Sequence, residues 1–276
     1  MGPNFICLGV QKAGTAWLSQ CLQAHPGLWN PGIKELHFFD RANFTGNDPK
    51  NFTVSLSKRP LKTIKRRAKH GNLSAREDLT EAIIKSKKIS FEDYLNLFAL
   101  APSTSKTWEI TPSYGSMSIE RIKKMNELLP DTKYIYVIRD PISRAMSSLR
   151  MSLQRRSKRG EEESSIVERW LNKQLDGGRY SKHILNINKV LGENKKIIYL
   201  PFGLIKNNPQ EFIDRVELHM GISKGNYKDL LSKPYHQTSK SVVIPENVQA
   251  AIEKEMQSER EFLVRFFGNE FAANCA

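Results

Sequence analysis

Cysteine is scarce in this chain: Cys7, Cys21 and Cys275 are the only three among 276 residues. Three cysteines cannot build a disulfide framework, and two of them fall inside apolar segments, so the expectation is a reducing, cytoplasmic setting. No apolar run approaches the roughly 20 residues that span a bilayer. No secretory leader precedes the first apolar segment. MGPNFI departs from the myristoylation pattern, because Ile6 stands where Ser or Thr is required. Sequons at Asn43, Asn51 and Asn72 are about as many as chance supplies in a chain of this composition. Acidic residues are also in short supply. Asp and Glu number 29 against 43 Lys and Arg, giving a formal net charge of +14 and a pI near 9.6. That excess asks for an anionic partner: a charged ligand, an anionic polymer or nucleic acid. The basic stretches 58–70 and 150–159 lack interleaved aromatics and any nucleic-acid reader motif. They therefore point away from nucleic acid and toward an anionic cofactor or an acidic glycan.

What is present suits one globular core, with 39% hydrophobic and 26% charged residues. NFICLGV reads as a strand, followed by a glycine turn and the helical stripe TAWLSQCLQAH. Residues 41–89 are polar and basic, an insertion of loops and short helices. SFEDYLNLFAL is a capped amphipathic helix from Ser90. KTWEI is a second strand, SIERIKKMNELLP a helix stopped by Pro130, and KYIYVI a near-continuous apolar run, as a buried parallel strand should be. Asp140 and Pro141 supply an N-cap and first-turn proline for a helix through Leu153. Helices from about Ser165 and from Tyr180, the strand KKIIYLPF, a glycine-capped helix after Asn208 and a long C-terminal helical region complete the pattern. Alternating β and α segments predict a single α/β domain over residues 1–276, a doubly wound central parallel sheet flanked by helices.

GVQKAGTAWL carries the chemistry. Gly9 and Gly14 have the spacing of a phosphate loop, G-x-x-x-x-G-K-[ST], and Thr15 follows the second glycine. The lysine is misplaced: Lys12 lies inside the loop, and the GK[ST] that sets a Mg²⁺-binding hydroxyl is absent. A strand–loop–helix context still makes this an anion site, because helix-start amides and the helix dipole favour phosphate. A kinase or NTPase is one reading, with YIYVIRD as its second motif. A basic nucleic-acid-binding protein is another.

Four motifs in order, GVQKAGTAWL, KELHFFD, EITPSYG and YVIRDPISRAMSS, make the chain similar to the sulfotransferases that use 3′-phosphoadenosine 5′-phosphosulfate (PAPS). The likeness is nearest to bacterial members and those acting on glycosaminoglycans, and is weak over 41–105. The resemblance implies a P-loop NTPase-like sulfotransferase fold and sulfuryl transfer to a hydroxyl or amine of a glycan or small molecule, with no metal required. It assigns the 5′-phosphate to the amides of Ala13, Gly14, Thr15 and Ala16, with the Thr15 hydroxyl added. Lys12 falls on the bridging oxygen, and Arg139 and Ser147 on the 3′-phosphate. Lys240 would close a loop over the nucleotide, and Trp17 belongs either beside the adenine or in the core. Glu35 is the expected general base and His37 its rival. Lys34, Glu35, Glu109 and Ser113 would line the acceptor side. Tyr180 and His183 match a G-x-Y-x-x-H pattern, with His183 also readable as a helix-face residue.

Overall fold

A computed structural model of the chain describes residues 2–44, 53–55, 85, 88–192, 195–231 and 242–276. Five strands, β1 (Phe5–Gly9), β2 (Leu28–Trp29), β5 (Lys106–Ile110), β6 (Lys133–Ile138) and β7 (Ile197–Pro201), form one sheet in the order β2-β5-β1-β6-β7. Every pairing in it is parallel. The central strand β1 and its neighbour β6 explain the arrangement. FICLG is buried along its whole length and KYIYVI at all but Lys133, so both strands need helices on both faces. Chain order reverses about β1: the chain first builds toward β2, then crosses to β6 and β7. The carboxyl ends of β1, β5 and β6 therefore meet at a switch point, where open α/β sheets bind their ligands.

A second, antiparallel pair, β3 (Thr53–Ser55) with β4 (Lys88–Ser90), was not expected. It joins the two ends of the basic insertion, most of which lies outside the described residues. Directly after β4 comes α2 (Phe91–Ala99), started by a capping box in which Ser90 Oγ accepts from Asp93 N at 3.0 Å and Asp93 Oδ2 accepts from Ser90 N at 2.8 Å. Its apolar face, with Tyr94 at the centre, is fully buried.

The remaining α-helices among the described residues are α1 (Thr15–Ala24), α3 (Ile119–Leu128), α4 (Pro141–Ser157), α5 (Glu163–Gln174), α6 (Tyr180–Leu191), α7 (Gly203–Asn207), α8 (Pro209–Met220), α9 (Lys228–Leu231), α10 (Glu246–Phe267) and α11 (Asn269–Ala273). A main core surrounds the sheet, and a smaller one joins α4, α5 and α10 through Leu149, Trp170, Ile252 and Met256. Asp140 caps α4 as expected, accepting from Ser143 N at 2.7 Å, and also pairs with Arg260 of α10 at 3.0 Å. No described helix is long and apolar enough to cross a membrane.

Candidate active site

The glycine loop runs from β1 into α1. Gly14 has φ 81°, and a Cβ there would meet Ile205 at 2.4 Å; Gly9 has φ 143°, and a Cβ there would meet the Pro112 carbonyl oxygen at 2.6 Å. A positive φ favours glycine at both positions, and at Gly9 the rigid Pro112 carbonyl leaves no room for a Cβ as well. Lys12, between them, also adopts a positive φ of 73°. Three bonds hold the loop in place: Val10 N to Val137 O at 3.0 Å, Ala13 N to Val10 O at 3.2 Å, and Arg139 Nη1 to Lys12 O at 2.9 Å. The Ala13 amide is thus spent inside the loop, which leaves the amides of Gly14, Thr15 and Ala16 at the helix start available to an anion. A helix leaves those without internal partners. No side chain caps α1 and no acidic residue stands in its first turn, which leaves the positive end of the dipole open to an anion.

Lys12 and Arg139 are brought together here. Burial, and then the neighbouring charges of Arg139 and Arg155, lower the Lys12 ammonium to about 8. Its Nζ rests 3.8 Å from Met151 Sδ, a weak acceptor. The Arg139 guanidinium lies 4.6 Å over the Phe202 ring, and Tyr180 Oη donates to the Arg139 carbonyl at 2.8 Å. Arg139 therefore braces the loop through Lys12 as well as offering charge. Ser147 sits two turns into α4, buried on the inward face. Trp17 proves to be a core residue: it is 8% exposed and packs edge-on against Phe212 at 5.7 Å. Lys240 lies outside the described residues.

KELHFFD forms the opposite side. Glu35 and His37 both take positive φ, 62° and 56°, a strained backbone held by its surroundings. Glu35 N donates to Ile110 O at 3.0 Å, Leu36 is buried, and Phe38 stacks on Tyr94 at 4.5 Å. This anchoring turns the two polar side chains into a cavity of about 340 Å³, whose lining includes Val10, Glu35, His37, Pro112 and Ser113. Lys34 is half-buried and does not line it.

Asp40, which the sequence reading did not single out, completes the group. His37 Nδ1 is 2.8 Å from Asp40 Oδ2, Ser113 Oγ donates to the same oxygen at 2.6 Å, and His37 Nε2 is 4.0 Å from Glu35 Oε2. Burial raises the Asp40 pKa, but the bonds from His37 and Ser113 outweigh it and leave the carboxyl below its usual range. With Nδ1–H given to Asp40, His37 presents Nε2 to the cavity. The signal for Asp40 was a carboxylate three residues after a histidine in KELHFFD.

Glu109 is corrected from acceptor contact to support. It is fully buried: Tyr94 donates to Oε2 at 2.5 Å, and Thr111 and Tyr114 donate to Oε1 at 2.7 and 2.9 Å. Tyr114 Oη in turn accepts from Phe38 N at 2.8 Å, so Glu109 underpins the loop that carries Glu35 and His37. Burial raises its pKa, and the three hydrogen bonds pull the other way. Glu109→Ala should destabilise the fold by about 2–4 kcal/mol, because three buried hydroxyls lose their acceptor. Chemical denaturation checks this, and a loss under about 1 kcal/mol would remove the supporting role.

With this geometry in view, comparison with known proteins decides the family. The model for the sulfotransferase family matches residues 3–225. The chain belongs to the sulfotransferase family. Among curated relatives, mouse (Mus musculus) heparan sulfate glucosamine 3-O-sulfotransferase 3B1 is 28% identical over 154 residues, 56% of this chain. The aligned part is only 28% of that relative, and the same holds for the mouse 3A1 enzyme at 27% identity. Among solved structures, a sulfotransferase from Alicyclobacillus acidocaldarius superposes with a TM-score of 0.65 at 17% identity, over 100% of both chains. Mouse sulfotransferase SULT7A1, solved with PAP, gives 0.52 at 10% identity over 98% of this chain and 87% of its own. At these identities the structures establish the fold. It is the central parallel sheet that the sequence predicts.

Proposed function

We propose that this sulfotransferase moves a sulfuryl group from PAPS to a hydroxyl by in-line single displacement, releasing 3′-phosphoadenosine 5′-phosphate (PAP). One juxtaposition carries the reading: an uncapped helix start with Lys12 and Arg139 on one side, and a cavity holding Glu35 and His37 beside it. Sulfotransferases of known structure include one solved with PAP, which supports the choice of donor.

The residues fit such a ligand. Glycines at positive φ let the loop close on a phosphate, and the amides of Gly14, Thr15 and Ala16 would donate to it. Arg139 and Ser147 face the second phosphate in this reading, and Lys240 the rim. PAPS would supply an activated sulfuryl group. Lys12 would neutralise charge gathering on the bridging oxygen as the S–O bond lengthens. Glu35 would take the acceptor's proton, with His37, fixed by Asp40, next to it. The chain's own contribution is alignment and charge placement.

PAP at about 100 times its dissociation constant should stabilise the fold by about 2.7 kcal/mol, which for a chain this long is roughly 5 °C in melting temperature. ADP with Mg²⁺ should do much less, lacking the 3′-phosphate. The reverse ranking, read by thermal shift, would favour a phosphoryl-transfer enzyme.

The acceptor class that the mouse relatives' names point to is a glycan, and a glycan hydroxyl is the acceptor we favour. Radiolabelled PAPS offered with a panel of acceptors tests this, by showing which one gains sulfate.

A further inference from the structure

The loop that carries Glu35 and His37 is held in large part from one stretch of chain, residues 109–121. Tyr114 Oη, bonded to Glu109, accepts from Phe38 N at 2.8 Å, and Ser113 Oγ donates to Asp40 Oδ2. One member of this stretch has no part in the catalytic reading. Arg121 lies in the first turn of α3, where Ser118 Oγ caps the helix by accepting from its amide. From there its Nη1 donates to two carbonyl oxygens, Phe39 O at 2.8 Å and Ala42 O at 2.7 Å. Its guanidinium also lies 5.6 Å from the centroid of the Phe44 ring. Arg121 does not line the cavity.

Those two carbonyls bracket Asp40. Residues 38–42 make a single turn, closed by Ala42 N donating to Phe38 O at 2.9 Å. Phe39 and Ala42 are buried, so their carbonyls need a donor from elsewhere in the protein, and Arg121 supplies it. Asp40 depends on that turn. Its bonds from His37 Nδ1 and Ser113 Oγ both fall on Oδ2, and its buried Oδ1 has no hydrogen-bond partner among the described residues. The carboxylate is held at one oxygen only, and the backbone beneath it decides where that oxygen sits. Resting on the sulfotransferase reading, we propose that Arg121 is a positioning residue for sulfuryl transfer. By pinning the turn 39–42 it keeps Asp40 on His37 Nδ1, and so points Nε2 at the cavity. Without those two bonds Asp40 could swing away, and the His37 proton would no longer be confined to one ring nitrogen. The loop itself would stay docked, because Phe38 stacks on Tyr94 and Phe39 packs edge-on against Tyr114 at 5.7 Å.

Histidine-selective ¹⁵N labelling of the full chain tests this, because the nitrogen shifts of a neutral ring report which nitrogen holds the proton. His37 is one of six histidines, and its signal is identified by its loss in His37→Gln. The parent should show the proton on Nδ1. Arg121→Met keeps the aliphatic stem and loses the donors; it should show a mixture of the two tautomers, with His25 and His219 unchanged. Arg121→Lys, whose ammonium has a donor for each carbonyl, should recover part of the parent signal. PAPS consumption with a mixture of neutral and sulfated disaccharides should fall about 10- to 100-fold in Arg121→Met, the scale of a slight misplacement in a site. PAP affinity should stay within about twofold. An unchanged His37 signal in Arg121→Met overturns the proposal, and so does a changed signal with parental turnover. A joint shift of His25 and His219 also overturns it, because that is what a general structural role predicts. Arg121→Gln, with a shorter reach, gives the same readout if Arg121→Met does not fold, and failure of both to fold counts against the proposal. If the parent consumes no PAPS with these acceptors, the tautomer alone decides. If it also fails to bind PAP, the sulfotransferase reading falls, and the tautomer still shows whether Arg121 keeps Asp40 on His37.

Discussion

Lys12→Ala is expected to lower turnover about 10²- to 10³-fold, the loss typical of removing one preorganised charge from a developing anion. The substitution keeps an L-residue at φ 73°, so the backbone strain and the bond from Arg139 to the Lys12 carbonyl are both retained. Binding of PAP should therefore fall much less than turnover. The free enzyme adds a second signature. Its Lys12 is lowered to about 8, chiefly by burial and then by Arg139 and Arg155, and a bound anion would raise it again. Binding PAP then takes up a proton above pH 8. Affinity should be full below that pH and decline a few-fold as pH rises through it. Titration calorimetry from pH 7 to 9.5, in buffers of different ionisation heat, reads both affinity and proton uptake. Lys12→Met should lack the decline. A parent enzyme with flat affinity over that range would place Lys12 away from the phosphates.

That loop was legible in the sequence because its signal is local. Glycine spacing, a buried strand before it and an apolar helical stripe after it all lie within residues 5–24. The central strands were equally plain, since a parallel strand covered on both faces is apolar throughout. What escaped was set by tertiary packing. The β3–β4 pair is three residues per strand, too short to show a period. Helix α4 runs on to Ser157, past the last buried residue at Leu153, because its final turn is polar and solvated. Glu109 and Glu35 are both carboxylates followed directly by an apolar residue, Ile110 and Leu36. One turns into the core and the other into the cavity, and only the aromatic cluster of Tyr94 and Tyr114 decides which. The rest of the cavity lining is the extreme case. Arg144 and Asp176 are 32 positions apart, and no spacing rule joins them.

Glu35→Gln should lower turnover about 10²- to 10⁴-fold while leaving PAP affinity nearly unchanged. Glutamine preserves the shape at φ 62° and the backbone bond to Ile110, so the loop has no reason to move. It loses only the capacity to accept a proton. The comparison that gives this weight is His37→Gln. His37 is held by Asp40 through Nδ1, and its Nε2 reaches toward Glu35 at 4.0 Å, too long for a hydrogen bond but close enough for a bound hydroxyl to contact both. If Glu35 is the base, Glu35→Gln suffers the larger loss and erases the acidic limb of the pH–rate profile. His37→Gln then keeps that limb at reduced rate, because it has lost a positioning group only. If His37 is the base, the order inverts: His37→Gln loses the limb, and Asp40→Asn, which disturbs the imidazole's orientation, follows it down. The two profiles, measured on PAP-competent protein, separate these assignments. Near-normal turnover in Glu35→Gln would transfer the role to the Asp40–His37 pair.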